Sequence, residues 1–103
     1  KTKMKVQIQS IHFSADSKLE AFIQAKLDKL ETFYDRIIDA DVFLKVDKDD
    51  AKENKEVEIK LNVPGNKMFS KQKAHSFEAA VDEATEALRR QLKKFKEKQM
   101  EAN

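Results

Sequence analysis

The stretch Lys55 to Val63 alternates without interruption. Val57, Ile59, Leu61 and Val63 are apolar, while Glu56, Glu58, Lys60 and Asn62 between them are polar. Successive side chains of a strand point to opposite faces, so this is a strand with one dry face and one wet face. A sheet built on it is covered on one side only, and any helix in the chain must pack there. Pro64-Gly65 follows at once and fits the centre of a type II turn, Pro setting φ and Gly accepting a positive φ. The turn closes a hairpin onto a further strand, about Lys67 to Lys73, in which Met68 and Phe69 compete for the inner face.

The rest of the chain supplies what such a sheet needs. Met4 to Ile11 alternates Met4, Val6 and Ile8 with Lys5, Gln7 and Gln9, a second half-buried strand. Ser14, Asp16 and Ser17 can each start a helix, and Ser17-Lys18-Leu19-Glu20 has capping-box spacing. The helix runs to about Tyr34 with Leu19, Phe22, Ile23, Leu27, Leu30 and Phe33 as its inner face. Lys18 and Lys29 lie on one flank with Lys26 at the edge of the apolar face, and Glu20, Gln24, Asp28 and Glu31 on the other, where they serve solubility. Ala40 to Asp47 is a strand with Val42, Leu44 and Val46 on one face, and the charged segment Lys48 to Asn54 is expected to be a mobile, exposed loop. The element order is β-α-β-β-β-α. It predicts one α+β domain over 4–100, with a four-stranded mixed sheet and two helices on one face, the arrangement of double-stranded-RNA-binding domains. The first two strands are expected to be parallel through a right-handed crossover, and the last three to form a meander. Lys1-Thr2-Lys3 precede Met4 and are taken as a remnant outside the domain, with 101–103 as a tail.

The second helix, Ser76 to Met100, carries Phe77, Ala80, Val81, Ala84, Leu88, Leu92 and Phe95 at three- and four-residue intervals, one stripe of a helix of about seven turns. Ser76 is placed to cap it. Glu78, Asp82, Glu83 and Glu86 occupy its first half; Arg89, Arg90, Lys93, Lys94, Lys96 and Lys98 crowd the second. The helix dipole favours that order but acts only over a terminal turn, so it does not require this many cations. Arg89, Arg90, Lys93 and Lys96 project away from the apolar stripe. If they meet the Lys18, Lys26 and Lys29 flank, the helices share a basic groove from which the acids are displaced outward, a surface for phosphates.

Composition narrows the function classes. The 103 residues carry 21 Lys and Arg against 19 Asp and Glu, so nucleic-acid binding has to come from segregated charge and not from a bulk excess. The absence of cysteine excludes a thiol nucleophile and a disulfide scaffold. No apolar run reaches the length of a membrane span, and a cytoplasmic protein is expected. His12 and His75 are isolated, no glycine-rich phosphate loop is present, and the carboxylates lie on helix flanks without a paired acid and base. An enzyme, a metal site, a cofactor and a small-molecule substrate are not expected.

Two segments carry a family resemblance. Ala25-Lys26-Leu27-Asp28-Lys29-Leu30-Glu31, followed by Tyr34-Asp35-Arg36-Ile37, resembles the first helix of the ribosome hibernation promoting factors, a family that includes the ribosome-associated inhibitor and the sigma-factor modulators. Phe77-Glu78-Ala79-Ala80-Val81-Asp82 through Leu88-Arg89-Arg90-Gln91-Leu92-Lys93-Lys94 is similar to the final helix of that family. The element order and the Val42-Phe43-Leu44-Lys45-Val46 strand agree, and the resemblance covers nearly all of 4–99. It implies a stationary-phase dormancy factor that binds the small ribosomal subunit and its ribosomal RNA in the channel for messenger RNA and the A- and P-site tRNAs, monomeric when free. The residues it implies as RNA-facing are Lys26, Lys29, Arg89, Arg90, Lys93 and Lys94, with Lys96 and Lys98 beside them; Arg36 matches too but can serve the fold. The chain ends at Asn103, short of the additional domain by which long members pair ribosomes and without the long C-terminal tail of some short ones. The resemblance is therefore to the short form, and ribosome pairing is left open.

Plainer readings stand beside this one. The basic half-helix can be a solvated helix end, Lys26 a lysine snorkelling past an apolar face, and Lys71 and Lys73 edge-strand charges that deter aggregation. Phe13, Phe22, Phe33, Phe77 and Phe95 read as core. Phe43 and Phe69 are the exceptions: if their strand faces are exposed, they could stack bases or meet a protein. A general double-stranded RNA binder and a protein-interaction module using the open sheet face are thus the alternatives.

Overall fold

The computed structural model describes residues 4–11, 14–47 and 54–101. Its elements run β1 (Lys5–Ile11), α1 (Ser17–Phe33), β2 (Asp39–Val46), β3 (Lys55–Val63), β4 (Asn66–Ala74) and α2 (Phe77–Glu101). The sheet order is β1-β2-β3-β4. β1 and β2 are parallel, and the other neighbours are antiparallel. The α+β architecture read from the sequence is therefore the one found, with both helices on the apolar face.

Register explains why that face is continuous. Ile8 lies beside Val42, Val42 faces Ile59 and Ile59 faces Ser70. The neighbouring row sets Val6, Ala40, Leu61 and Met68 together. The competition between Met68 and Phe69 is decided by the Pro64-Gly65 turn. Gly65 adopts φ 79, and the two-residue connection pairs Val63 with Asn66, which brings Met68 opposite Leu61. Met68 is buried and Phe69 is 47% exposed. Ser70, also turned inward, accepts a hydrogen bond from the Gln72 amide at 3.4 Å.

Of the three capping candidates Asp16 caps α1, its Oδ1 accepting from the Leu19 N–H at 2.8 Å. Ser76 Oγ accepts from the Ala79 N–H at 3.2 Å and caps α2. β1, β2 and β4 point the same way and each helix folds back over the sheet, so α1 and α2 run in the same direction. Ile23, Leu27, Leu88 and Leu92 are fully buried between the helices and the sheet. Each such side chain contributes roughly 1.5–3 kcal/mol by leaving water.

Three expectations need correction. Phe22, Phe33 and Phe95 are half-buried and packed against the core, the first two at the border of the α1 stripe that looks toward α2 and Phe95 near the far end of α2. Glu31 does not serve solubility; it is 8% exposed and its Oε2 accepts the Met4 backbone N–H at 2.7 Å. β2 spans Asp39–Val46, one residue earlier at both ends than the Ala40 to Asp47 read from the sequence, and β4 spans Asn66–Ala74, one residue longer at each end than Lys67 to Lys73. Phe13 and the expected loop over 48–53 lie outside the described residues, although Asp47 N–H donates to the Asn54 carbonyl at 2.7 Å where that segment departs and returns.

Candidate RNA-binding surface

The outer surface of the helix pair is where the candidate cations meet. Lys26 Nζ lies 2.5 Å from Asp82 Oδ1, and seven residues further along each chain Phe33 lies against Arg89, whose guanidinium carbon is 5.9 Å from the ring centroid. Equal steps on both helices confirm that they run in parallel and in phase. Tyr34 and Phe95 close the far end, edge to face at 5.9 Å between centroids. α2 is about 37 Å long and α1 about 25 Å at 1.5 Å per residue, so the last turns of α2 pass the end of α1.

Besides Lys26, two of the candidate cations are built into the helix junction. Lys96 Nζ stands 4.8 Å from the Phe33 ring centroid and donates to the Phe33 carbonyl at 3.1 Å. The last turn of α1 has no basic residue of its own, so Lys96 brings a cation to its unsatisfied, partly negative end. Arg89 also packs over this ring and reaches Glu86 Oε1 at 3.3 Å. Phe33 is therefore a half-buried platform with two cations on it.

Helical spacing sorts the other candidates into two rows. Lys29 follows Lys26 on the α2-facing side of α1, and Lys93 follows Arg89 on the α1-facing side of α2. Arg90, Lys94 and Lys98 lie on the opposite flank of α2, above the β4 edge, the same side from which Gln91 donates to the Phe69 carbonyl at 3.0 Å. Lys29, Arg90, Lys93, Lys94 and Lys98 are exposed, and among the described residues they enter no ion pair or hydrogen bond. Lys18 and Arg36 are exposed as well.

The sequence reading brought the right helix flanks together but missed two features. Acids are not all displaced outward. Asp82 stands inside the groove on Lys26, and Glu86 lies beside Arg89. The paired charges, Lys26 with Asp82 and Arg89 with Glu86, thus precede the end of α2, where exposed cations outnumber the exposed Glu97. The other missed feature is Phe33. An aromatic at a stripe border followed on another helix by cations seven residues apart is a signal only once the axial offset of the two helices is known.

The open sheet face has a different character. Lys71 Nζ lies 3.9 Å and 3.8 Å from Glu56 and Glu58, Lys73 Nζ is 2.7 Å from Asp47, and Lys60 Nζ is 5.7 Å from the centroid of the Phe43 ring. Some of its charges are paired within the face, the exposed Lys5, Lys45 and Lys67 enter no described ion pair, and Phe69 is the exposed aromatic there. No group of three or more His, Cys, Asp or Glu among the described residues is arranged to hold a metal ion. The open groove lined by Gln72, Asp82, Glu83, Glu86 and Arg90 contains no histidine, serine or threonine. No helix among the described residues is long and apolar enough to cross a membrane.

Comparison with known proteins places this geometry in a family. Residues 6–100 match the family model described as "Sigma 54 modulation protein / S30EA ribosomal protein". A ribosome hibernation promoting factor of Pseudomonas putida is 34% identical over 96 residues, spanning 93% of this chain and 90% of that protein. A ribosome hibernation promotion factor of Deinococcus radiodurans is 33% identical over 95 residues, spanning 91% of this chain but 50% of that longer protein. Among solved structures, a ribosomal subunit interface protein from Coxiella burnetii superposes with a TM-score of 0.80 at 19% identity, over 90% of this chain and 98% of that one. The N-terminal domain of Thermus thermophilus Protein Y gives 0.77 at 22% identity, over 89% and 99%. These two show the fold. The family model and the relatives show more, and the chain belongs to the sigma 54 modulation protein / S30EA ribosomal protein family, that of the ribosome hibernation promoting factors.

Proposed function

We propose that this protein is a ribosome hibernation factor that binds the small ribosomal subunit at ribosomal RNA in the decoding region, where messenger RNA and the A- and P-site tRNAs otherwise lie, and keeps the ribosome idle. The mechanism is steric exclusion together with phosphate neutralisation, and it involves no bond making or breaking. One observation carries the RNA-facing part of this reading: Lys29, Arg90, Lys93, Lys94 and Lys98 are exposed at the basic end of the helix pair and have no described partner in the protein. Such cations take phosphates without first giving up an internal contact. Lys26, Arg89 and Lys96 join them from internal contacts, with Phe33 holding the last two in place.

The test is co-sedimentation with purified bacterial small subunits in a salt series, comparing wild type with Arg90→Glu/Lys93→Glu/Lys94→Glu. These positions are chosen because none of the three supports the fold through a described contact, so loss of binding reports the surface. The expected result is stoichiometric pelleting of the wild type, displacement by tRNA, and loss of pelleting in the folded triple variant. Wild type that stays in the supernatant at low salt sinks the reading and turns attention to the sheet face around Phe69. Retention of free RNA duplexes with no preference for the subunit supports a general duplex binder instead.

A further inference from the structure

The contact between Lys26 and Asp82 joins two helices, is the shortest ion pair among the described residues at 2.5 Å, and lies inside the surface assigned to RNA. The Lys26 ammonium has two contacts: it is 5.4 Å from the centroid of the Phe22 ring and it pairs with the Asp82 carboxylate. The lysine side chain is 29% exposed, whereas Asp82 is 55% exposed. A carboxylate offers the cation the single negative charge and the acceptor oxygens that a phosphodiester offers, and this one is more exposed than the lysine it pairs with.

We propose that Asp82 is a latch on the RNA-binding surface: in the free protein it occupies the Lys26 ammonium that an RNA phosphate takes in the complex, and this exchange lowers affinity and blunts the salt response. The inference rests on the RNA-binding function proposed above. When a phosphate takes Lys26, the released carboxylate is left facing an anionic ligand and gathers a counterion of its own. One cation leaves the RNA and one is taken up by the protein, so Lys26 adds little to the net counterion release that drives binding. Glu86 is a weaker case. Its contacts with Arg89 are long, 3.3 Å and 3.4 Å, and stay within one helix turn, and both side chains are half exposed.

Such a latch makes removal of an acid from the protein strengthen binding in a position-specific way. Affinity for small subunits is measured across a salt series for wild type, Asp82→Asn, Asp82→Ala, Glu83→Gln, Lys26→Met and Lys26→Met/Asp82→Asn. Glu83 is the charge control, one residue on and about 100° around the helix, without a described partner. Lys26→Met keeps the apolar stem against Phe22 and removes the charge. The latch predicts that both Asp82 variants bind about two- to five-fold tighter than wild type at low salt, the range of an exposed ion pair. It also predicts a slope of log affinity against log salt steeper by about 0.7–0.9. Glu83→Gln is expected to give less than half that gain, and Asp82→Asn to give none in the Lys26→Met background.

Equal or weaker binding by both Asp82 variants overturns the latch, as does an equal gain from Glu83→Gln or a gain that survives Lys26→Met. Those last two outcomes would mean that Asp82 acts only through net charge. Wild type that fails to bind subunits at low salt is a separate result: it removes the RNA-binding function itself, and the latch with it.

Discussion

Single residues carry much of what distinguishes this surface from an ordinary charged helix pair, and Glu31 shows how little their type alone reveals. It belongs to the acidic flank of α1, yet it turns down at the β1 edge and accepts the Met4 N–H in a buried site. Gln24, on the same flank, stays within the helix instead, its side-chain amide donating to Asp28 Oδ1 at 3.0 Å. A buried donor left without its acceptor keeps the full cost of desolvation, about 1–3 kcal/mol. Glu31→Ala is therefore expected to lower unfolding stability by about that much in urea titration. Glu31→Gln, which retains an oxygen to accept the same hydrogen bond, should lose less than half as much. Equal losses for the two would assign the effect to side-chain packing.

At the scale of elements the question is what docks α2 to α1 outside the core. Lys96 supplies a cation to the end of α1 and to the Phe33 ring, while Lys94, two residues earlier on the other flank, is exposed and enters no described ion pair or hydrogen bond. Lys96→Ala is expected to cost about 0.5–1 kcal/mol of stability, from the lost ring contact and helix-end interaction. Lys94→Ala should leave the denaturation midpoint within error, and both variants should weaken subunit binding. A midpoint that moves equally for both would remove the docking role of Lys96. The contrast also marks how far sequence patterns reach. The alternation in β3, the Ser76 cap and the α2 stripe were legible because each depends on neighbours three or four residues away at most. The pairing of Lys26 with Asp82 and the seating of Arg89 and Lys96 on Phe33 were not, because they depend on the axial offset between helices far apart in the chain. That offset is set by how Ile23, Leu27, Leu88 and Leu92 pack over the sheet. Asp16 and Met68 fall between these cases: the sequence offered a short menu, and local geometry chose from it.

The whole molecule is an elongated body, 49 × 26 × 18 Å, in which a nearly balanced chain becomes strongly polarised. A net charge of +2 does not by itself attract RNA, but the later turns of α2 place Arg90, Lys93, Lys94 and Lys98 in the open against one exposed acid among the described residues, Glu97. Binding by such a surface has a quantitative signature. If Lys29, Arg90, Lys93, Lys94 and Lys98 each neutralise one phosphate, the slope of log affinity against log salt is about −3.5 to −4.5, at 0.7–0.9 per contact. Raising salt from about 50 to 200 mM should then weaken subunit binding by about 10²- to 10³-fold. Single charge removals at these positions should each reduce the slope by somewhat less than one, whether they come from α1 or from either flank of α2, because both rows converge on the same end. A slope near zero with binding intact would mean that the helix cations are bystanders and that an uncharged surface makes the contact. The exposed Phe69 on the sheet is the residue such a surface would use, and Phe69→Ala would then lower affinity at every salt concentration equally.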